Sequence, residues 1–142
     1  MTRCAVRRTM FGFVAALAVG AWAGGATADP ILECGLMTEG TAELGECLNG
    51  QLEVVHGAMG EALALARGGA EQLDRASGGD AAVLGIEASQ QAWEAYRDTE
   101  CQTRAIFAGA GAAADGLELA CAIELTRERT GALLRLAAPR GG

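Results

Sequence analysis

Two cysteines, Cys101 and Cys121, lie ten residues either side of Gly111. Helical patterns flank the glycine-rich stretch Gly109–Gly111 on both sides. In an antiparallel helix pair, residues equidistant from the turn face each other. The symmetry therefore predicts a Cys101–Cys121 disulfide closing a helical hairpin. Four cysteines allow three connectivities, and this one leaves Cys34–Cys47 as the second bridge, tying the lead-in segment onto the next helix. The bridged separations are 13 and 20 residues, so each bridge is expected to contribute about 3 kcal/mol. The spacings suit neither zinc, which usually takes cysteines two to four apart, nor a C-x-x-C redox centre or C-x-x-C-H haem attachment.

Disulfides require an oxidising compartment, and the N-terminus supplies a route to one. Arg3, Arg7 and Arg8 form a positive region, Phe11 to Trp22 an apolar run, and Ala26-Thr27-Ala28 the small residues of a cleavage site. Residues 1–28 are expected to be a signal peptide. The alternative, an uncleaved anchor, is disfavoured because the apolar run is shorter than the ~20 residues a bilayer requires. The expected mature chain, 29–142, is one domain in the periplasm or secreted. It keeps an even four cysteines and loses Cys4. It also keeps all 18 acidic residues and eight of the 11 arginines, a formal −10, with no lysine. Such a surface disfavours nucleic acid and anionic lipid and suits a basic partner; it also serves solubility alone.

The mature region shows helical periodicity throughout and no β alternation. Leu44, Leu48, Leu52, Val55, Met59 and Leu63 form one apolar face, predicting a helix over about 41–67 with Thr41 as its cap. Gly68-Gly69 and Gly78-Gly79 read as breaks around a polar linker with a short helical turn at 71–76. Asp80 is then expected to cap a helix over about 80–108, with Ile86, Trp93, Arg97, Cys101 and Ile106 or Phe107 inward. Asp115 is expected to cap the last helix, over about 115–137, with Leu117, Cys121, Leu125, Leu133 and Leu136 inward. The expected fold is all-α: an antiparallel three- to four-helix bundle stapled by two disulfides.

The hairpin register places Arg97 opposite Leu125 and Trp93 opposite Arg129. It predicts the Arg129 guanidinium over the Trp93 ring, a contact of roughly 0.5–2 kcal/mol. Arg97 would then lie partly in the interface and pair with Glu124 or Glu128. On this reading both arginines are structural.

Gln90, Trp93, Tyr96, Arg97, Asp98 and Cys101, followed by Cys121, Leu125, Thr126, Arg129 and Leu133, resemble the pattern of the lysozyme-inhibitor LprI-like family of small exported helical proteins. Cys34 and Cys47 sit where that family's first cysteine pair lies, so the resemblance spans essentially the whole mature chain. It implies a helical domain and inhibition of lysozyme. Two departures bear on the target: Gly109-Ala110-Gly111-Ala112 stands where members often have Gly-Gly-Ser/Thr, and Glu53 and His56 stand where an Asn and a Tyr are common.

Catalytic readings fare poorly. Glu53-x-x-His56 is half of a di-iron motif, but the chain has one histidine in total. The same histidine would be the only possible base for a serine or cysteine nucleophile. A carboxylate pair for glycoside hydrolysis survives counting, yet nothing places two acids in one cleft. The glycine clusters lack the lysine and strand context of a phosphate loop. The sequence thus predicts no enzyme, no metal, no cofactor and no membrane association after cleavage. The family resemblance, together with the acidic charge, implies a binding protein for a basic lysozyme-type hydrolase, with Glu100, Asp115 and Glu118 beside the 108–115 loop as contacts. The alternative is a structural or adaptor module of the cell envelope.

Overall fold

A computed structural model describes residues 28–138. The expected signal segment therefore lies outside the described residues except for Ala28. Four helices follow in order: α1 Pro30–Gly35, α2 Thr41–Ser77, α3 Ala81–Ala108 and α4 Ala112–Ala137. The long helices α2, α3 and α4 run up, down and up, and α1 fills a fourth position beside the start of α2. The all-α bundle with two disulfides is borne out: Cys34–Cys47 and Cys101–Cys121 are both formed, with Cα–Cα distances of 5.8 and 5.4 Å.

The core is built in three tiers. At the end holding the α3–α4 turn, Cys34, Leu48 and Ile123 are fully buried, with Leu44, Leu52, Val55 and Leu119 around them. Midway, Cys101, Cys121 and Leu125 pack against Trp93. Toward the far end, Met59, Ala62, Ala66 and Leu133 pack against Leu63, Ile86 and, again, Trp93. Trp93 therefore joins two tiers, and α3 is fastened to the α2–α4 pair largely through it and the second disulfide.

Several boundaries differ from expectation, each for a physical reason. Asp29 accepts a hydrogen bond from the Ile31 amide at 2.9 Å and Pro30 occupies the first helical turn, so the lead-in forms α1. Thr41 is the first residue of α2, with Gly40 at the cap position, and makes no capping bond. α2 does not stop near Arg67; it passes through Gly68-Gly69 for another ten residues. Two glycines in a helix cost about 1 kcal/mol each. Burial of Ala62, Ala66 and Ala70 and the use made of Asp74 offset that cost. The Asp74 carboxylate reaches across the turn and accepts from the Ala82 and Val83 amides, both at 2.9 Å. Asp74, not Asp80, thus caps α3; Asp80 occupies the cap position but makes no side-chain bond there. The stop comes at Gly78, whose φ of 74° is left-handed and whose amide bonds to the Asp74 carbonyl.

At the second turn, Gly109 and Gly111 adopt φ values of 106° and 95°, closing the chain tightly enough for α4 to restart at Ala112. Asp115 therefore lies in the first turn of α4 and does not cap it. The inward assignments at this end also change. Ala105 continues the buried row of Cys101, and Ile106 and Phe107 turn outward, the latter 88% exposed. α4 turns its buried face toward α2 through Ala114, Gly116, Ala120, Ile123 and Thr126, leaving Leu117 and Leu136 partly exposed.

Candidate functional site: an acidic, apolar end of the bundle

The residues shared by the sequence motif do not converge on a reaction centre. Trp93 is flanked by two guanidiniums: Arg97 lies 5.1 Å from the ring centroid and Arg129 5.9 Å. Arg129 also donates to Gln90 Oε1 at 3.0 Å and Ser89 Oγ at 2.9 Å. Gln90 in turn donates to Glu94 at 3.0 Å. Burial pushes Arg129 below the usual guanidinium value, with Glu94 opposing. Leu125, Thr126 and Leu133 are core residues and Tyr96 is half exposed. The Thr126 hydroxyl is fully buried, and Oγ1 has no hydrogen-bond partner among the described residues.

Arg97 does not reach Glu124 or Glu128. It donates from Nε and Nη2 to Asp98 Oδ1, at 2.8 and 2.7 Å, and from Nη1 to His56 Nε2 at 3.0 Å. Its position points it toward α2, whereas Glu124 faces Arg104 on the outer side, 3.9 Å away. Because a guanidinium has no acceptor, His56 Nε2 must accept, and the ring is neutral with its proton on Nδ1. Burial, followed by the Arg97 charge, holds the His56 pKa below 6.5. Glu53 is exposed and takes no part, so the Glu-x-x-His pair is split between solvent and clamp.

The end of the bundle below this clamp is different. Residues 30–50 and 100–120 contribute seven acids and one cation, Arg104. Arg104 is committed to Glu100 at 2.9 Å. Glu33 is paired from above by Arg127, at 2.9 Å, which also donates to Gln51 and to the Ala28 carbonyl. The Arg127 hydrogen bond lowers the Glu33 pKa below 4.5, against the opposing effect of burial. Glu39, Glu43, Glu46, Asp115 and Glu118 have no ion-pair partner among the described residues.

Two grooves open at this end and share Asp115 and Leu119. The first, about 370 Å³, lies between α2, α3 and α4, with a floor of Leu52, Leu119 and Ala122 and walls of His56, Arg97, Asp98, Asp115 and Glu118. The second, about 620 Å³, lies between the starts of α2 and α4 and is mainly apolar: Ile31, Leu44, Ala113, Leu117 and Leu119 line it, with Glu46 and Asp115. Of the three expected contact residues, Asp115 and Glu118 are thus brought to one groove, while Glu100 is tied to Arg104 and lines neither. The apolar side of this region was missed. Phe107, Leu36, Met37 and Ile106 are 69–88% exposed here. Their signal was available in the poor fit of adjacent Ile106-Phe107 and Leu36-Met37 to a single helical stripe. A hollow of similar size at the far end, about 600 Å³, has no ionisable residue in its lining.

Among the described residues, no three His, Cys, Asp or Glu side chains are grouped to hold a metal ion. None of the described helices is long and apolar enough to cross a membrane. The family model for lysozyme inhibitor LprI matches residues 34–133, from the first bridged cysteine to the last buried leucine of the motif. The chain belongs to the lysozyme inhibitor LprI family. Comparison with curated proteins and with solved structures gives no match. The matched residues of this LprI-family chain include both disulfides, the Trp93 clamp and, apart from Ile31, the linings of both grooves of the acidic end.

Proposed function

We propose that this chain is an exported inhibitor of a basic lysozyme-type muramidase and that the acidic end of the bundle makes the contact. Export would follow from residues 1–28 acting as a signal peptide, placing the mature domain in the periplasm or outside the cell. The observation that carries the reading is the set of carboxylates without an ion pair among the described residues, Glu46, Asp115 and Glu118, around concave apolar surface in a member of a family described as lysozyme inhibitors. Negative potential steers encounter with a basic enzyme and speeds association at low salt. The narrow α3–α4 turn, with Phe107 beside it, is the projection that would occlude a cleft. Inhibition by blocking requires no chemistry from the inhibitor.

The test is lysis of cell walls by a basic lysozyme in the presence of purified Asp29–Gly142. Lysis slows at low ionic strength, and the effect weakens as salt screens the charges. Unchanged lysis at low salt and micromolar protein contradicts the reading and leaves the adaptor module as the better account.

A further inference from the structure

Charge brings partners together but rarely holds them; binding energy usually concentrates where apolar groups are buried inside a polar rim. The larger groove has that form. Its walls are Ile31 from α1, Leu44 and Gly45 from α2, and Ala113, Leu117 and Leu119 from α4, with Glu46 and Asp115 at its edge. Nothing lies within 4 Å of a Cβ built on Gly45, so the floor there is open. Phe107 and Ile106 at the end of α3, and Leu36 and Met37 between α1 and α2, are strongly exposed in the segments that flank the groove. The occupant is indicated by charge: among the described residues the cations nearest this end, Arg97, Arg104 and Arg127, are each paired with a carboxylate, whereas Glu46 and Asp115 at the groove have no ion pair.

We propose that this groove seats one projecting apolar side chain of a basic protein segment, with Glu46 and Asp115 receiving the cationic residues on either side of it. The inference rests on the muramidase reading for the identity of the partner, but the groove's own chemistry is testable without that enzyme. The acids orient the segment and raise the association rate. The apolar seat limits dissociation and gives the complex a part that salt does not dissolve.

Isotope-labelled Asp29–Gly142 is titrated with three capped tripeptides, Arg-Leu-Arg, Arg-Gly-Arg and Glu-Leu-Glu, and followed by amide chemical shifts. Arg-Leu-Arg moves the amides of Leu44, Gly45, Ala113 and Leu117 saturably. Arg-Gly-Arg binds at least fivefold more weakly, and Glu-Leu-Glu leaves those amides unmoved. Ala113→Phe, which fills the groove from the exposed first turn of α4, abolishes the Arg-Leu-Arg shifts while helicity and both disulfides are retained. Equal binding of Arg-Leu-Arg and Arg-Gly-Arg overturns the proposal, as do shifts centred elsewhere or unaltered by Ala113→Phe. The two readings fail separately. Groove binding without slowed lysis removes the muramidase reading and leaves the seat, whereas lysozyme inhibition unaffected by Ala113→Phe removes the seat and leaves the inhibitor.

Discussion

The Trp93 clamp and the acidic end are adjacent, and they handle charge in opposite ways. In the clamp, each guanidinium has named acceptors: Arg97 holds Asp98 and His56, and Arg129 holds Ser89 and Gln90. At the acidic end, five carboxylates have no ion pair among the described residues, and Phe107 and Ile106 are exposed. The clamp satisfies its groups internally, as a structural element does. The end leaves both charge and apolar surface for something else to satisfy. The residues of the sequence motif thus specify the bundle, and the surface suited to a partner is built largely from residues the motif does not mention.

Breaking the clamp should change stability, and breaking the end should not. The largest effect is expected from removing the bridge beside the clamp. Cys101→Ser with Cys121→Ser should cost about 3 kcal/mol, measured by denaturant unfolding of 29–142. Next, Arg129→Ala removes a stacked guanidinium and two hydrogen bonds and should cost about 1–2 kcal/mol. The same variant should alter emission from Trp93, the single tryptophan of residues 29–142. Unchanged stability and emission together would show that the stack contributes nothing.

A smaller effect of opposite sign is expected at Thr126. Its hydroxyl is buried without a partner among the described residues, so Thr126→Val, nearly the same shape, should stabilise by roughly 1 kcal/mol. Destabilisation in the same unfolding assay would mean that the hydroxyl is satisfied in solution. pH sharpens the comparison further. The folded-state pKa of His56 is lowered from 6.5, so the unfolded chain binds the extra proton first. Stability should be fully present above 6.5 and fall as pH drops toward the lowered value. His56→Gln should flatten that window. Glu33, lowered from 4.5, contributes stability that is present above 4.5 and lost below it, a separate step that Arg127→Ala removes.

The disulfide pairing was legible because Cys101 and Cys121 are symmetric about Gly111, a local relation that needs no tertiary knowledge. The length of α2 was not. Gly68-Gly69 reads as a stop unless Asp74 is known to cap the next helix from across a turn, a contact that exists only after folding. Helix α1 is legible in Asp29-Pro30, a capping residue followed by a proline suited to the first turn. Arg129 beside Trp93 follows from the register. The second guanidinium on that ring does not, because Arg97 is drawn toward His56 on α2, which hairpin symmetry does not include. At the candidate site, Asp115 and Glu118 could be nominated from their place after the turn. The groove they share depends on how α4 rotates toward α2, which also exposes Leu117 and sets it at the edge of the apolar seat.

The proposed contact with the hydrolase is made by the acidic end and not by the clamp. It is tested by the inhibition constant of Asp115→Asn/Glu118→Gln against a basic lysozyme at low salt, read beside that variant's unfolding free energy. The account predicts inhibition at least tenfold weaker, with stability changed by no more than about 1 kcal/mol. Inhibition as strong as that of the unaltered protein, with the same salt dependence, would contradict it.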